Sequence, residues 1–468
     1  MKKVFVKRLV MGLGALLFAL AMGGIVACSE EVPEPTPDEP ETPAVPEEPA
    51  PAPVPDPTPV GRSRDIELSA QQRGFVDATI NTSFNAFVIA NRLERELGEP
   101  HPGTDYRRDV ADNIVFSPLG MSYAAVTLAN AAAGESRNQI LSALGYSGSR
   151  IEDVNSFYKY LNGQLTSLDP TSRYKAANSI WIKSQFKNFV QAAYPKIMEE
   201  FYGAPTTYLS NFRSDDGGVI IDNWGRTESE GFLESFYTDG DAYSYFLVGN
   251  IQYFKSGWVT PFDETETADA TFHNEDGTES TVKMMKNKGR FFKKASNKDF
   301  LAVRLPYGNE AFSMIVILPR TDIDNCIEAV AQRKDALVDL AKEQGLEGQH
   351  LLRLPRFDVS YQVGRFRELM LELGVSDVFD GDRADFSGMF DLSGLRAIYP
   401  NPYATGFVQS CRIAVDEKQT EAASGYYVVA HSGEEEDPYE IVFDRPFLFL
   451  ISERSTGMPV FMGRVTKL

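Results

Sequence analysis

Val415-Asp416-Glu417-Lys418-Gln419-Thr420-Glu421-Ala422-Ala423-Ser424-Gly425 runs into Tyr426-Tyr427-Val428-Val429-Ala430 and then into His431-Ser432-Gly433-Glu434-Glu435-Glu436-Asp437-Pro438. The first part is a run of small side chains, and Ala, Ser and Gly bury too little apolar area for a core strand. The second part is aromatic and β-branched and suits a strand. The third is polar, acidic and closed by proline, which predicts an exposed loop. The C-terminal segment beyond Pro438 is opposite in character. Phe447-Leu448-Phe449-Leu450-Ile451 and Val460-Phe461-Met462-Gly463-Arg464-Val465 are apolar runs split by the polar turn Glu453 to Gly457, the pattern of a buried hairpin. A strand-capable segment is thus tethered at both ends beside core strands. Its small alternate residues, Thr420, Ala422 and Ser424, would let it slide between two existing strands without overpacking the core beneath.

These residues resemble the C-terminal region of the serpins, suicide-type inhibitors of serine and cysteine proteases. Glu417-Lys418-Gln419-Thr420-Glu421-Ala422-Ala423 is similar to the hinge of their reactive-centre loop. Asp444-Arg445-Pro446-Phe447 with Phe461-Met462-Gly463-Arg464-Val465 is similar to their C-terminal signature. Earlier segments carry the resemblance upstream in the same order. Asn113-Ile114-Val115-Phe116-Ser117-Pro118-Leu119 resembles the "FSP" motif, and Ala176-Ala177-Asn178-Ser179-Ile180-Trp181 the "AN-x-x-(F/W)" strand. Asn250-Ile251-Gln252-Tyr253-Phe254-Lys255-Ser256-Gly257-Trp258 resembles the "N-x-x-(Y/F)-F-K-G-x-W" segment, and Leu354-Pro355-Arg356-Phe357 the "LPKF" segment. The resemblance implies an α+β fold with a large central mixed β-sheet, two further sheets and about eight or nine helices. Its reactive-centre loop would be exposed near the C-terminus.

The resemblance also implies a mechanism. A protease attacks the loop and forms an acyl-enzyme, and the cleaved loop inserts as a strand into the central sheet, dragging the protease with it. The hinge would comprise Glu417, Lys418, Gln419, Thr420, Glu421, Ala422, Ala423, Ser424 and Gly425. The exposed loop would hold Tyr426, Tyr427, Val428, Val429, Ala430, His431, Ser432 and Glu435, with the bond to be cut at Gly433-Glu434. Thr420, Ala422 and Ser424 would face inward after insertion, and Glu421 and Ala423 outward. Glu417 resembles a hinge glutamate that pairs with the basic residue of the "LPKF" segment, here Arg356. Trp258 matches the tryptophan at the top of the sheet, and Ser117 and Asn250 match the region where the sheet parts. The chain departs from the pattern at Gln419, where a hinge glycine is usual, and at Tyr426, where a small polar residue is common. Gly120 and Gln409 replace a serine and a histidine near the parting point. The partner implied is a target serine or cysteine endopeptidase, bound by a monomer. The alternative reading is a non-inhibitory serpin, a protease substrate or a binding lipoprotein.

The N-terminus reads as an address. Lys2, Lys3, Lys7 and Arg8 precede an apolar run from Leu9 to Val26, as in a signal peptide, and Ile25-Val26-Ala27-Cys28 resembles a bacterial lipobox whose cysteine is acylated. The competing reading is an uncleaved transmembrane anchor. Ser29 to Val60 carries twelve prolines and nine acidic residues, with no basic residue between Arg8 and Arg62. Such a segment cannot bury a core. In the polyproline conformation it would reach roughly 100 Å. The organisation expected is a lipoprotein signal peptide at 1–27, a lipidated Cys28 with a Pro/Glu-rich linker over 28–60, and a single domain over 61–468. The lipobox resemblance implies a protein anchored to the bacterial envelope, at the outer membrane with exposure at the surface left open, and the membrane as a partner through the lipid on Cys28.

Other chemistries find little support. The net charge of −20 argues against nucleic acid. The four histidines, His101, His273, His350 and His431, show no metal-ligand spacing, so no metal or cofactor is expected. There is no G-x-S-x-G elbow and no Gly-rich phosphate loop, and the acidic residues near Asp263 to Glu266 read as a solvated loop. No enzyme is therefore expected. Cys326 and Cys411 read as unpaired buried thiols. Helices are expected at Gln71–Leu97, Met121–Ala132, Phe189–Phe201, Ile220–Ser229, Cys326–Gln344 and Gly364–Leu373. Strands are expected at Ala177–Ile182, Tyr245–Phe254, Phe300–Leu305, Phe312–Leu318 and Leu351–Val359.

Overall fold

The apolar runs near the C-terminus form a hairpin whose every residue is buried, β15 (Phe447–Glu453) against β16 (Pro459–Val465). The structure is a computed structural model. It describes residues 63–98, 111–213, 216–237, 244–290, 293–345, 350–363, 365–404, 409–420 and 439–468. By its contacts the chain divides into two units, Met1–Pro55 and Asp56–Leu468, and all described residues lie in the second. The signal peptide, Cys28, the whole linker and the loop from Glu421 to Pro438 fall outside the described residues.

Ten α-helices occur among the described residues: α1 (Ala70–Gly98), α2 (Pro118–Ala131), α3 (Gly134–Ala143), α4 (Ile151–Leu165), α5 (Ala193–Tyr202), α6 (Gly217–Glu228), α7 (Ile323–Gln332), α8 (Lys334–Lys342), α9 (Phe366–Glu372) and α10 (Leu392–Arg396). Their boundaries follow local chemistry. Ser117 caps α2 by accepting from the Gly120 amide, and Pro118 begins the helix, where its missing N–H costs nothing. Gly203, with φ of 56°, ends α5 in the left-handed region. The stretch expected as one helix from Cys326 to Gln344 is two, broken at Arg333.

Three sheets carry the rest. The hairpin continues into a six-stranded sheet of order β1-β16-β15-β9-β8-β7, with β1 (Ile114–Phe116), β7 (Lys294–Ser296), β8 (Phe300–Tyr307) and β9 (Phe312–Pro319). All residues of β8 and β9 are buried. These strands are covered on both faces, and their near-continuous apolar sequences are what such burial requires. A four-stranded sheet has the order β14-β10-β6-β5, with β5 (Ala268–His273), β6 (Glu279–Arg290), β10 (His350–Pro355) and β14 (Tyr439–Val442). The central sheet has the order β11-β12-β13-β4-β2-β3, with β2 (Arg173–Lys183), β3 (Thr206–Leu209), β4 (Phe246–Gly257), β11 (Phe357–Val363), β12 (Gln409–Val415) and β13 (Gln419–Thr420). It is mixed, since β3 pairs β2 in parallel and the other neighbours pair antiparallel.

Two differences from the sequence reading bear on function. The expected strand Leu351–Val359 is two strands in two different sheets, β10 and β11, and Arg356 is the residue between them. The polar turn expected at Glu453 to Gly457 is present, and its polar groups are largely buried rather than solvated. Glu453 accepts from the amides of Ser455 and Thr456, and Arg454 donates to Ser63 through Nε at 2.9 Å, so the root of the N-terminal segment closes over this turn.

Candidate functional site

β13 is two residues long and joins two strands that are otherwise apart. Gln419 and Thr420 lie opposite Gly257 and Ser256 of β4, and Thr420 also lies opposite Val415 of β12. Both pairings are antiparallel, so β4 and β12 run parallel to each other, with a strand-wide position between them. Among the described residues β4 and β12 share no ladder pair. Below β13 the space between them is bounded by Gln252 and Phe254 on one side and Ile413 on the other. It is floored by Ile451 and Phe461 of the core hairpin and covered outside by Phe232. Arg412 fastens that cover, donating to the Phe232 carbonyl at 3.0 Å and lying over its ring.

The turn from β12 into β13 is strapped down by a collar formed by residues 258–267. The Trp258 indole Nε1 donates to the Asp416 carbonyl at 2.9 Å, while its ring stacks on Tyr307 with centroids 4.4 Å apart. The Trp258 amide donates to the Lys418 carbonyl, and the Phe262 amide to the Glu417 carbonyl at 2.8 Å. Lys418 reaches Glu264 at 2.6 Å. Asp416 closes the turn from within, its Oδ1 accepting from the amides of Lys418 and Gln419.

Glu417 and Arg356 meet at the centre of this turn. Arg356 Nε donates to both carboxylate oxygens, at 2.8 and 2.7 Å, and Nη2 lies 2.7 Å from Oε1. Thr267 Oγ1 donates to the same Oε1 at 2.5 Å. The Glu417 side chain is 3 % exposed and that of Arg356 45 %. Burial pushes the Glu417 carboxyl up, but the hydrogen bonds from Arg356 and Thr267 outweigh it and hold the group below the usual glutamate range. The hydrogen bond to Glu417 in turn raises the Arg356 guanidinium.

Gln419, in place of the usual glycine, takes no left-handed conformation. Its Oε1 is buried with no hydrogen-bond partner among the described residues. Of the remaining hinge residues Thr420 lies in β13, and Glu421, Ala422, Ala423, Ser424 and Gly425 lie outside the described residues. So do the loop from Tyr426 to Glu435 and the Gly433-Glu434 bond.

The parting-point residues form a separate cluster lower down the slot. Ser117 Oγ donates to the Val460 carbonyl at 2.9 Å. Gln409 pairs with the Ser117 backbone twice, accepting from its amide at 3.0 Å and donating to its carbonyl at 2.9 Å. An uncharged amide does here what a ladder pair would do, tying β12 to the start of α2. Asn250 donates to Asn178 Oδ1 at 2.8 Å. Gly120 is tight against this cluster, since a Cβ there would sit 2.9 Å from Gln252 Cγ and 3.0 Å from Asn250 Oδ1. That closeness gives the physical reason for glycine at this position.

The structure thus brings Arg356, Trp258 and the Glu417 end of the hinge together, and Ser117 and Asn250 together with Gln409 and Gly120. Sequence reading does not find Phe262, Glu264 and Thr267 as hinge partners. They lie in or beside the acidic stretch that reads as a solvated loop, and no local pattern marks a residue whose partner is about 150 positions away. Cys326 and Cys411 are free, buried thiols, each pushed up to about 12 by burial.

A family model described as Serpin (serine protease inhibitor) matches residues 106–468. Human neuroserpin is 25 % identical over 366 residues, covering 76 % of this chain and 86 % of its own. Leukocyte elastase inhibitor A of Mus musculus is 28 % identical over 394 residues, covering 81 % of this chain and 97 % of its own. The crystal structure of the thermophilic serpin tengpin in the native state superposes with a TM-score of 0.69 at 24 % identity. It covers 87 % of this chain and 98 % of that one, a likeness of fold.

Proposed function

The chain belongs to the serpin family, and we propose that it is a suicide-type inhibitor of serine or cysteine endopeptidases. A protease cuts the loop near Gly433-Glu434, and before the acyl-enzyme is hydrolysed the freed loop enters the central sheet as a new antiparallel strand. The observation that carries this reading is the seating of Gln419 and Thr420 between two parallel strands, β4 and β12, that share no ladder pair among the described residues. Continued insertion would complete main-chain hydrogen bonds on both sides of the entering strand, which supplies the driving force. Small residues are needed at Ala422 because Ile451 and Phe461 floor the slot. Ala430, Ser432 and Gly433 suit proteases with shallow pockets, such as elastase-like, subtilisin-like or papain-like enzymes, and Glu434 or Glu435 a glutamate-specific one. The relative named as a leukocyte elastase inhibitor supports the first group.

The domain is proposed to act as a monomer at the outer membrane, held by a lipid on Cys28 and a stalk over 28–60. An acyl-glyceryl anchor with a third chain exceeds the two signals stable attachment needs. Incubation with a protease panel tests the inhibitor reading: a complex that survives detergent, with release of the peptide that starts at the cut, is expected from at least one enzyme. Cleavage by every active protease with no trapped complex would instead establish a substrate. Replacing Cys28 by alanine should move the protein from the membrane to the soluble fraction.

A further inference from the structure

The register of β13 determines where each later loop residue would arrive. Continued without a bulge, the pairings Thr420–Ser256 and Thr420–Val415 set Ala422 between Phe254 and Ile413, Ser424 between Gln252 and Cys411, and Tyr426 between Asn250 and Gln409. Directly opposed side chains share one face of a sheet. On β4 that face looks inward, because Gln252 and Asn250 approach Gly120 of α2. On β12 it looks inward too, because Gln409 is bonded to the Ser117 backbone at the start of α2. In that register Tyr426 would be the first bulky side chain of the entering loop aimed at the interior.

Room exists where it would arrive. A cavity of about 470 Å³ opens beside Asn250 and Gln409, lined on α2 by Met121 and by Gly120, Ala124 and Leu128. The last three are four residues apart and share one helical face. Two of them are small. Of the fourteen residues of α2, Ala124 is the one that is not buried. An alanine left uncovered in an otherwise buried helix, beneath an unfilled strand position, lacks a covering group.

We infer that this cavity is the seat of the Tyr426 side chain in the inserted loop, which makes Tyr426 a positioning residue for insertion. The inference rests on the reading of the chain as a loop-inserting inhibitor. The ring covers Ala124 and fills the space that its small side chain leaves, so the bulky residue at a position where small ones are common is matched by a small residue opposite. Seating the ring secures the strand beyond the point where β4 and β12 part.

Calorimetry on the full chain tests this, comparing the uncut protein with protein cut in the Glu434–Glu436 stretch by a glutamyl endopeptidase. The cut wild type should melt well above the uncut form. Tyr426→Ser should lower the melting temperature of the cut form by about 2–4 °C and leave the uncut form unchanged, and Tyr426→Phe should restore the wild-type value. Ala124→Phe, which fills the seat, should reproduce the Tyr426→Ser loss in the cut form. If the cut wild type gains no heat stability, the inhibitor reading fails and this inference with it. If the wild type gains it and Tyr426→Ser melts with it, the cavity belongs to another occupant, such as a small apolar molecule, and the inference alone is overturned.

Discussion

Replacing Arg356 by alanine should loosen the hinge without touching the loop. Three contacts of 2.7–2.8 Å between Arg356 and the Glu417 carboxylate are lost. Hydrogen bonds to charged groups are worth about 1.5–3 kcal/mol, and stranding a buried charge costs about 3–5 kcal/mol. Two facts bring the figure down. Arg356 is 45 % exposed, so water screens that side and takes over part of the solvation, and Thr267 keeps one hydrogen bond. A loss of about 1–2 kcal/mol remains. Felt in full at the barrier to spontaneous insertion, it speeds conversion of the intact protein by about 5–30-fold. Arg356→Glu, which sets a second carboxylate against Glu417, should go further and form polymers. The assay is a time course at fixed temperature, scoring heat-resistant monomer and polymer on native gels together with residual inhibition. The pH dependence has a fixed sign. A carboxyl held below its unfolded value gives stability that is complete above about pH 4.3 and lost as the pH falls through the folded value. Wild-type conversion should therefore stay flat through mild acid and accelerate only below about pH 4. In Arg356→Ala the acceleration should begin at higher pH, because burial then acts with less opposition. An Arg356→Glu variant with unchanged conversion, heat stability and inhibition would refute the role of the pair.

Ala422→Arg places a long charged side chain above Ile451 and Phe461. It should turn the inhibitor into a substrate that is cut at the same bond without a trapped complex, and persistent detergent-stable complex would contradict the register. Gln419→Gly removes the buried Oε1 that has no partner among the described residues, so it should raise the trapped fraction against a given protease; a lower fraction would mean that Gln419 assists entry. Neither Cys326 nor Cys411 should react with a thiol reagent at pH 8 until the domain is unfolded, since burial keeps both protonated. Labelling of the folded protein at either residue would show that the domain opens locally there.

The parts of the site legible in the sequence are those whose signal is local. Small side chains in a strand-like run mark the hinge, and two apolar runs about a turn mark the hairpin. Helix α4 is absent from the expected elements although Ile151, Val154, Phe157, Tyr158, Leu161 and Leu165 recur at helical spacing and are buried, so there the signal is present and unused. The collar is illegible for a different reason. Phe262 and Thr267 act through a backbone amide and a hydroxyl, groups that residue type barely reveals. Arg356 stands between the two cases. Its pairing with Glu417 is expected from resemblance alone, and the topology gives it a cause. β10 ends at Pro355 and β11 begins at Phe357, so Arg356 sits where the chain passes from one sheet to another. β11 and β12 pair Phe357 with Val415. Continued past the strand ends, that register sets Arg356 opposite Asp416, and Glu417 follows one residue into the turn at the same end of the central sheet. The ion pair therefore ties the turn from which the hinge departs to the junction between two sheets, and release of that turn is what frees the hinge to move.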